Sequence, residues 1–361
     1  GKTSGVTSYP GITSQALVLI DSGTGTIILN GTSSTGHGVE LAYGNSSANI
    51  VITSASTSTS AISITGSTTV SGYQGFWATN NSISSTPGVL VQATGNGGGV
   101  SLSGSNPNGG GIFLSGMDIL ASSGPVSITA SSGPFNLQSN SVYVGSCSSN
   151  GSNPCATRTL NGTSYTPITS SSANVTLSSA TWGTWGGVMT MNTTGSISIT
   201  PVGSGTWTSA FTWSGSLSGS TYTLDANSFV GAASKLTILN FPSITGLTLG
   251  SSTNTQTVTI SSAISETGPI TIYGNYVNLA GNLTTTGTNQ PISIYSQYNL
   301  NTTSSGLTFQ TSGGNILFAS NINGSAGSIN LDRATLTSNG GNITLGGGSS
   351  GTCLLYTSDA A

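Results

Sequence analysis

GGNITLGGG, Gly340–Gly348, decides the reading of this chain because it has relatives. AGSINL ends at Leu331, GGNILF at Phe318, GPITIY at Tyr273, GPVSIT at Thr129 and GGVSLS at Ser103. Each places a glycine ahead of residues that alternate aliphatic with polar. Successive strand side chains point to opposite faces, so in ITIY the residues Ile270 and Ile272 share one face, and Thr271 and Tyr273 the other. A strand this short cannot bury enough surface alone. Recurrence is the remedy: stacked units pile the aliphatic residues into one continuous interior column.

Working outward, the N-terminal part repeats a unit of about 36 residues. HGVELAY, QGFWATN and GGIFLSG align Gly38, Gly75 and Gly111, at spacings of 37 and 36. A second phrase aligns Val51, Val89 and Val126, and a third aligns Ile27, Ile62, Val100 and Phe135. Three short strands per unit, each closed by a Gly/Ser/Asn-rich turn, follow from this alignment. The C-terminal part uses a shorter unit, with Ile270, Ile292, Ile316 and Ile343 spaced by 22, 24 and 27. Residues 146–235 fit neither register, and read as a lateral excursion, an inserted β subdomain or decayed repeats. The expected organisation is a β-solenoid over 1–145, an irregular Trp-rich β region over 146–235, a second solenoid stretch over 236–348, and a non-native or disordered tail over 349–361.

Composition supports stacking. The 361 residues include 53 Gly but only 4 Lys and Arg and 7 Asp and Glu, with 34% hydrophobic residues. Disorder goes with high net charge and low hydrophobicity, and neither holds here. Like charges stacked one strand apart, roughly 4.8 Å, would repel along the whole column, so a stacked chain avoids them. Glycines are expected to supply positive-φ corners, and stacked Asn residues to form hydrogen-bonded ladders between coils. No segment has helical period. The fold expected is all-β, a parallel β-helix of about ten to fourteen coils, a rod of order 50–65 Å. An antiparallel sandwich is the competing architecture.

Charge also excludes functions. Four basic residues in a chain of net charge −3 cannot form a groove for a phosphate backbone, so nucleic acid is ruled out as a partner. No apolar run is long enough for a membrane-spanning helix. The opening GKTSGVTSYP is not a signal peptide, and the chain reads as cut at its start. The closing CLLYTSDAA, Cys353–Ala361, resembles a transposon-end sequencing adapter read through as protein, and is set aside as a scar is.

The phrases GGIFLSGMDILASSGPVSITASSG (from Gly110) and GPITIYGNYVNLAGNLTTTG (from Gly268) resemble the repeats of large bacterial filamentous-haemagglutinin-like surface proteins. The resemblance covers roughly residues 15–145 and 260–348 and is one of repeat style. It implies a right-handed parallel β-helix, export across the outer membrane by a two-partner or autotransporter route, a location at the bacterial cell surface, and adhesion as the common role. Asn106-Pro107-Asn108-Gly109 is similar to a phrase of that family's secretion domain, but stands here without the rest of it and reads as an ordinary turn.

Candidate chemistry is sparse. His37 is the single histidine, and sits between Gly36 and Gly38 at a strand entry, where solvent-facing decoration is expected. Asp21, Glu40, Asp118, Asp225, Glu266 and Asp332 include no pair recurring at one coil spacing, as glycoside hydrolysis on a solenoid would want. Asp332 precedes Arg333, which points to the opposite face if the strand continues. Cys147 and Cys155 flank SSNGSNP without further metal ligands; in an exported chain they read as a disulfide, worth roughly 2–3 kcal/mol. Trp182, Trp185, Trp207 and Trp213 cluster in the irregular region, either as surfaces for stacking on sugar rings or as the core of an insertion. Asn-x-Ser/Thr, as at Asn30, Asn161, Asn174, Asn282, Asn301 and Asn342, recurs at the rate chance supplies in such a composition. STSTS, Ser56–Ser60, forms no repeating Thr array of the ice-binding kind.

The reading is therefore a non-enzymatic structural and adhesive segment, without cofactor or metal. Its expected partners are a cell-surface glycan or protein receptor, an outer-membrane export partner for the full-length protein, and further copies of itself end to end. The rival readings are a β-solenoid carbohydrate-active lyase or hydrolase, and a self-associating matrix fibre.

Overall fold

A computed structural model describes residues 10–14, 18–43, 50–80, 88–138, 141–147, 157–225, 235–324, 327–347 and 354–357. The chain is a parallel β-helix that divides into two compact units, Gly1–Thr193 and Thr194–Ala361. Among the described residues the strands are interrupted by helical geometry only at the 3-10 turn Phe241–Ser243.

In the first unit each coil contributes one strand to each of three parallel sheets. Sheet I stacks Ile12–Ser14, Val39–Tyr43, Gln74–Asn80, Gly110–Leu114, Phe135–Leu137 and Trp182–Trp185. Sheet II stacks Val18–Asp21, Ile50–Ser54, Val89–Ala93, Met117–Ala121, Val142–Gly145 and Val188–Asn192. Sheet III stacks Ile27–Ser33, Ile62–Thr68, Val100–Ser105, Val126–Ser132 and Val175–Ser179. Ile62, Val100, Val126 and Val175 form one buried column of sheet III, and Ile64, Leu102, Ile128 and Leu177 the next. Such columns supply the burial that no single strand achieves.

The expected glycine column is present, since Val39, Phe76 and Ile112 are in register one residue after Gly38, Gly75 and Gly111. These glycines serve close approach and not positive φ: a Cβ on Gly38 would strike the backbone of Ser67, and one on Gly75 that of Ser105. The third alignment holds through Ile27, Ile62 and Val100 and fails only at Phe135, and the second needs correction. Val51 pairs with Leu90, Val126 with Val100, and Phe135 with Ile112. The coil shortens midway: Ile62 to Val100 is 38 residues, whereas Val100 to Val126 is 26. The link from sheet I to sheet II shrinks to Ser115 and Gly116, so a constant period overruns into the wrong sheet.

The middle of sheet II is buried on both faces. Ile50–Ser54, Val89–Ala93 and Met117–Ala121 are buried at every position. Their outward residues Val51, Leu90 and Leu120 join Cys147 and Leu160 in one cluster, with Leu19, Tyr143, Tyr165 and Ile168 packed against it. The cover is the excursion after strand Val142–Gly145. It holds the antiparallel hairpin Arg158–Leu160 and Thr163–Tyr165, turned by Asn161 and Gly162 at φ 50° and 79°, the sign that a two-residue Asn-Gly hairpin turn requires. Part of the region expected to be irregular is thus a lateral excursion. Strands Val175–Ser179, Trp182–Trp185 and Val188–Asn192 then resume the coils.

The second unit repeats the plan. One sheet stacks Ile197–Thr200, Leu247–Leu249, Ile270–Gly274, Ile292–Ser296, Ile316–Ser320 and Ile343–Gly347. The expected column Ile270, Ile292, Ile316, Ile343 is in register throughout. A second sheet stacks Phe211–Trp213, Val258–Ile260, Val277–Leu279, Leu300–Thr302, Ser328–Leu331 and Leu354–Thr357; the last strand lies within the tail that the sequence reading sets aside. A third stacks Ile264–Glu266, Leu283–Thr288, Thr308–Ser312 and Thr335–Thr337. An antiparallel meander, Gly215–Ser218, Thr221–Leu224 and Lys235–Leu239, is a second excursion.

Polar side chains reinforce the rungs. The Oδ1 atoms of Asn282, Asn299 and Asn315 accept backbone N–H bonds from Thr308, Ser328 and Asn342, one coil on, at 2.9–3.0 Å. Asn301 donates to Asn278 at 3.3 Å, a rung of an asparagine ladder. Outward Tyr273 and Tyr295 stack at 4.8 Å, and Tyr276 and Tyr298 at 5.4 Å.

Candidate functional site

The first unit carries an open cleft of about 480 Å³ where sheet III turns into sheet I. Its lining comes from residues 32–34 and 67–69, with Ser105, Pro107 and Ser132. All of these but Pro107 bear a hydroxyl. The stacking aligns them: Thr32 pairs with Ser67, Ser67 with Ser105, and Ser105 with Ser132, so four successive coils present hydroxyls at one place. The hydroxyls of Thr32 and Ser67 are hydrogen-bonded at 3.0 Å. Ser33 and Thr68 cap their own turns, accepting N–H bonds from Gly36 at 2.9 Å and Val70 at 3.2 Å.

The rim is held rigidly. Asn106, fully buried, donates to the carbonyls of Val70 and Tyr73 at 2.9 and 2.6 Å and accepts the N–H of Asn108 at 3.0 Å. Asn108 donates to the Thr69 carbonyl at 2.8 Å. The Asn-Pro-Asn-Gly turn therefore clamps one coil to its neighbour.

The same turns lead into an aromatic cluster. His37 stacks on Trp77 at 4.5 Å and meets Tyr73 edge-on at 5.0 Å; Trp77 lies 6.3 Å from Phe113. Trp77 and Phe113 belong to an outward column that continues Glu40 and ends at Asn136. His37 is not mere decoration: its Nδ1 accepts the Gln74 N–H at 3.0 Å, and burial among rings pulls its pKa from 6.5 to about 4. It is neutral at pH 7.

The remaining candidates are dispersed. Trp207, stacked on Phe211 at 4.7 Å, and Trp213, against Tyr222 and Phe241, are fully buried in core clusters and offer no ring face to a sugar. Trp182 is half-buried against Phe135, and the side chain of Trp185 lies outside the described residues. Cys147 is buried and disulfide-bonded; Cys155 lies outside the described residues. The carboxylates do not converge. Asp118 pairs with Arg158 at 2.8 Å, both fully buried, joining sheet II to the excursion. Burial raises Asp118 from 3.8 to about 6 against the opposing pull of Arg158. Asp225 accepts the Ser214 hydroxyl at 2.9 Å. Strand Ser328–Leu331 ends before Asp332, and Arg333 turns at φ 50°, so the opposite-face expectation for that pair does not apply. Among the described residues no group of three His, Cys, Asp or Glu is placed to hold a metal ion.

The cleft escaped sequence reading, although its signal was present: TSS, STT and SNP occupy equivalent turns at residues 32–34, 67–69 and 105–107. Trp77, half-buried inside a repeat, belongs to the outward cluster and was not singled out by its sequence context, whereas Trp207 and Trp213 are core.

Compared with known proteins, the chain matches no family model, no curated protein and no solved structure. Among the described residues no helix is long and apolar enough to cross a membrane.

Proposed function

We propose that the chain is a non-enzymatic structural and adhesive segment of a large exported protein of the bacterial cell surface, in which stacked coils display a binding surface. One observation carries this reading. Four coils of the first unit align hydroxyls at one place, with an aromatic cluster following the same turns, on a scaffold of stacked parallel strands. Sites on rigid elements hold their groups in place without an ordering cost on binding. The partner is a cell-surface glycan or a protein receptor.

The test is retention of cells, or of extracted surface glycans, by the immobilised chain against a heat-denatured control. Specific retention without change to the captured polysaccharide supports the reading. Absence of retention, or release of shortened saccharide, sinks it.

A further inference from the structure

We propose that the cleft at residues 32–34, 67–69 and 105–107 binds a neutral oligosaccharide lying along the coil axis, which names the partner class of the adhesive reading and rests on it. The argument begins with what the cleft can exchange for water. Hydroxyls offer both a donor and an acceptor. A sugar hydroxyl entering the cleft can therefore replace each water it displaces, and little hydrogen bonding is lost.

An ionic ligand fares worse. The described charged side chains of this unit are Asp21, Glu40, Asp118 and Arg158. None lines the cleft, and Asp118 and Arg158 are buried against each other. A sulfate or carboxylate would lose hydration without meeting a counter-charge. A wholly apolar ligand would strip water from the lining hydroxyls without replacing those hydrogen bonds. An extended peptide seeks unpaired backbone at a strand edge, whereas three of the four strands lining the cleft, those of Ser67, Ser105 and Ser132, are paired on both sides. Repetition gives the direction: equivalent hydroxyls recur on successive coils, roughly 4.8 Å apart, and a polymer of like sugar rings is the ligand whose own groups also recur. Exposed Pro107 adds a carbon surface for the C–H face of a ring.

The experiment uses the full chain and defined probes: α-1,4-glucan, β-1,4-glucan and β-1,4-mannan hexasaccharides, and a sulfated hexasaccharide, by saturation-transfer NMR and calorimetry. At least one neutral probe is expected to bind and the sulfated one not. The triple variant Ser67→Ala, Thr69→Ala, Ser105→Ala should weaken binding roughly tenfold or more. Thr69→Trp, which fills the cleft from an exposed position, should abolish it. Unchanged circular dichroism establishes that both variants fold. Neutral-sugar binding that survives both changes overturns the cleft and leaves the adhesive reading standing. Preference for the sulfated probe, or no sugar binding by a chain that still retains cells, overturns the ligand class alone. Loss of both sugar binding and cell retention in the unaltered chain removes the adhesive reading as well.

Discussion

Glu266 occupies an inward position of its strand, two residues after buried Ile264, and is itself fully buried. Burial lifts its pKa well above the ordinary 4.5, against a smaller opposing pull from the Leu247 backbone. At this site the folded chain holds a proton that the unfolded chain releases, so the contribution of Glu266 to stability is greatest below about pH 4.5 and is lost as pH rises toward the raised folded-state value. Glu266→Gln should remove that component while leaving those of Asp118 and His37 in place, and urea unfolding of both proteins at several pH values would detect the difference. Equal slopes for both proteins would show that Glu266 does not titrate in this way. Asp118 and Arg158 allow a second prediction. Arg158→Met alone leaves a buried carboxylate without its counter-charge and should cost about 3–5 kcal/mol. Adding Asp118→Asn should recover much of that loss. A purely additive double variant in a thermodynamic cycle would refute the coupling.

At the level of elements, the excursion over sheet II converts a half-exposed face into core. Leu160 is buried there with Val51, Leu90 and Leu120. Leu160→Ala should cost about 2–5 kcal/mol, the range for a buried leucine, and should increase binding of a hydrophobic dye. A change under 0.5 kcal/mol would show that the cover contributes little. Much of this was legible. IVI, VLV and the ILA of MDILA are short apolar runs without alternation, the mark of strands covered on both faces, and Asn161-Gly162 marks a hairpin. What hid the arrangement was variable coil length. The C-terminal register was readable because each unit there repeats an isoleucine followed two residues later by another apolar residue, at Ile270, Ile292, Ile316 and Ile343. In the first unit the links change length between coils, so a constant period carries Val126 from sheet III into the sheet II alignment and Phe135 from sheet I into the sheet III alignment. The cleft was illegible for a related reason: hydroxyl residues saturate the sequence, and only correct register separates the few that align from the many that do not. Trp207 and Trp213 show the converse, since an aromatic pattern cannot tell an exposed platform from a core.

For the molecule as a whole, scarcity of charge is the governing fact. With 4 basic and 7 acidic residues in 361, and one ion pair sealed in the interior, little remains for salt to screen. The midpoint of thermal unfolding should move by only about a degree or two between 0.05 and 0.5 M sodium chloride. Glycan binding in the cleft should be equally indifferent, and constant from pH 6 to 8, because His37 stays uncharged there. A strong salt dependence of either would point to an ionic term that the fold does not supply.

The tyrosine pairs carry a consequence of another kind. Tyr273 lies over Tyr295 and Tyr276 over Tyr298 only while neighbouring coils keep their alignment. A slip of one residue would send the rings of Tyr273 and Tyr295 to opposite sides of their strands and pull Tyr276 and Tyr298, in the following bends, out of alignment. The coupled near-ultraviolet transitions of the two stacked pairs are therefore a built-in optical gauge, able to report during refolding when coils have found their proper partners and when they have merely collapsed together.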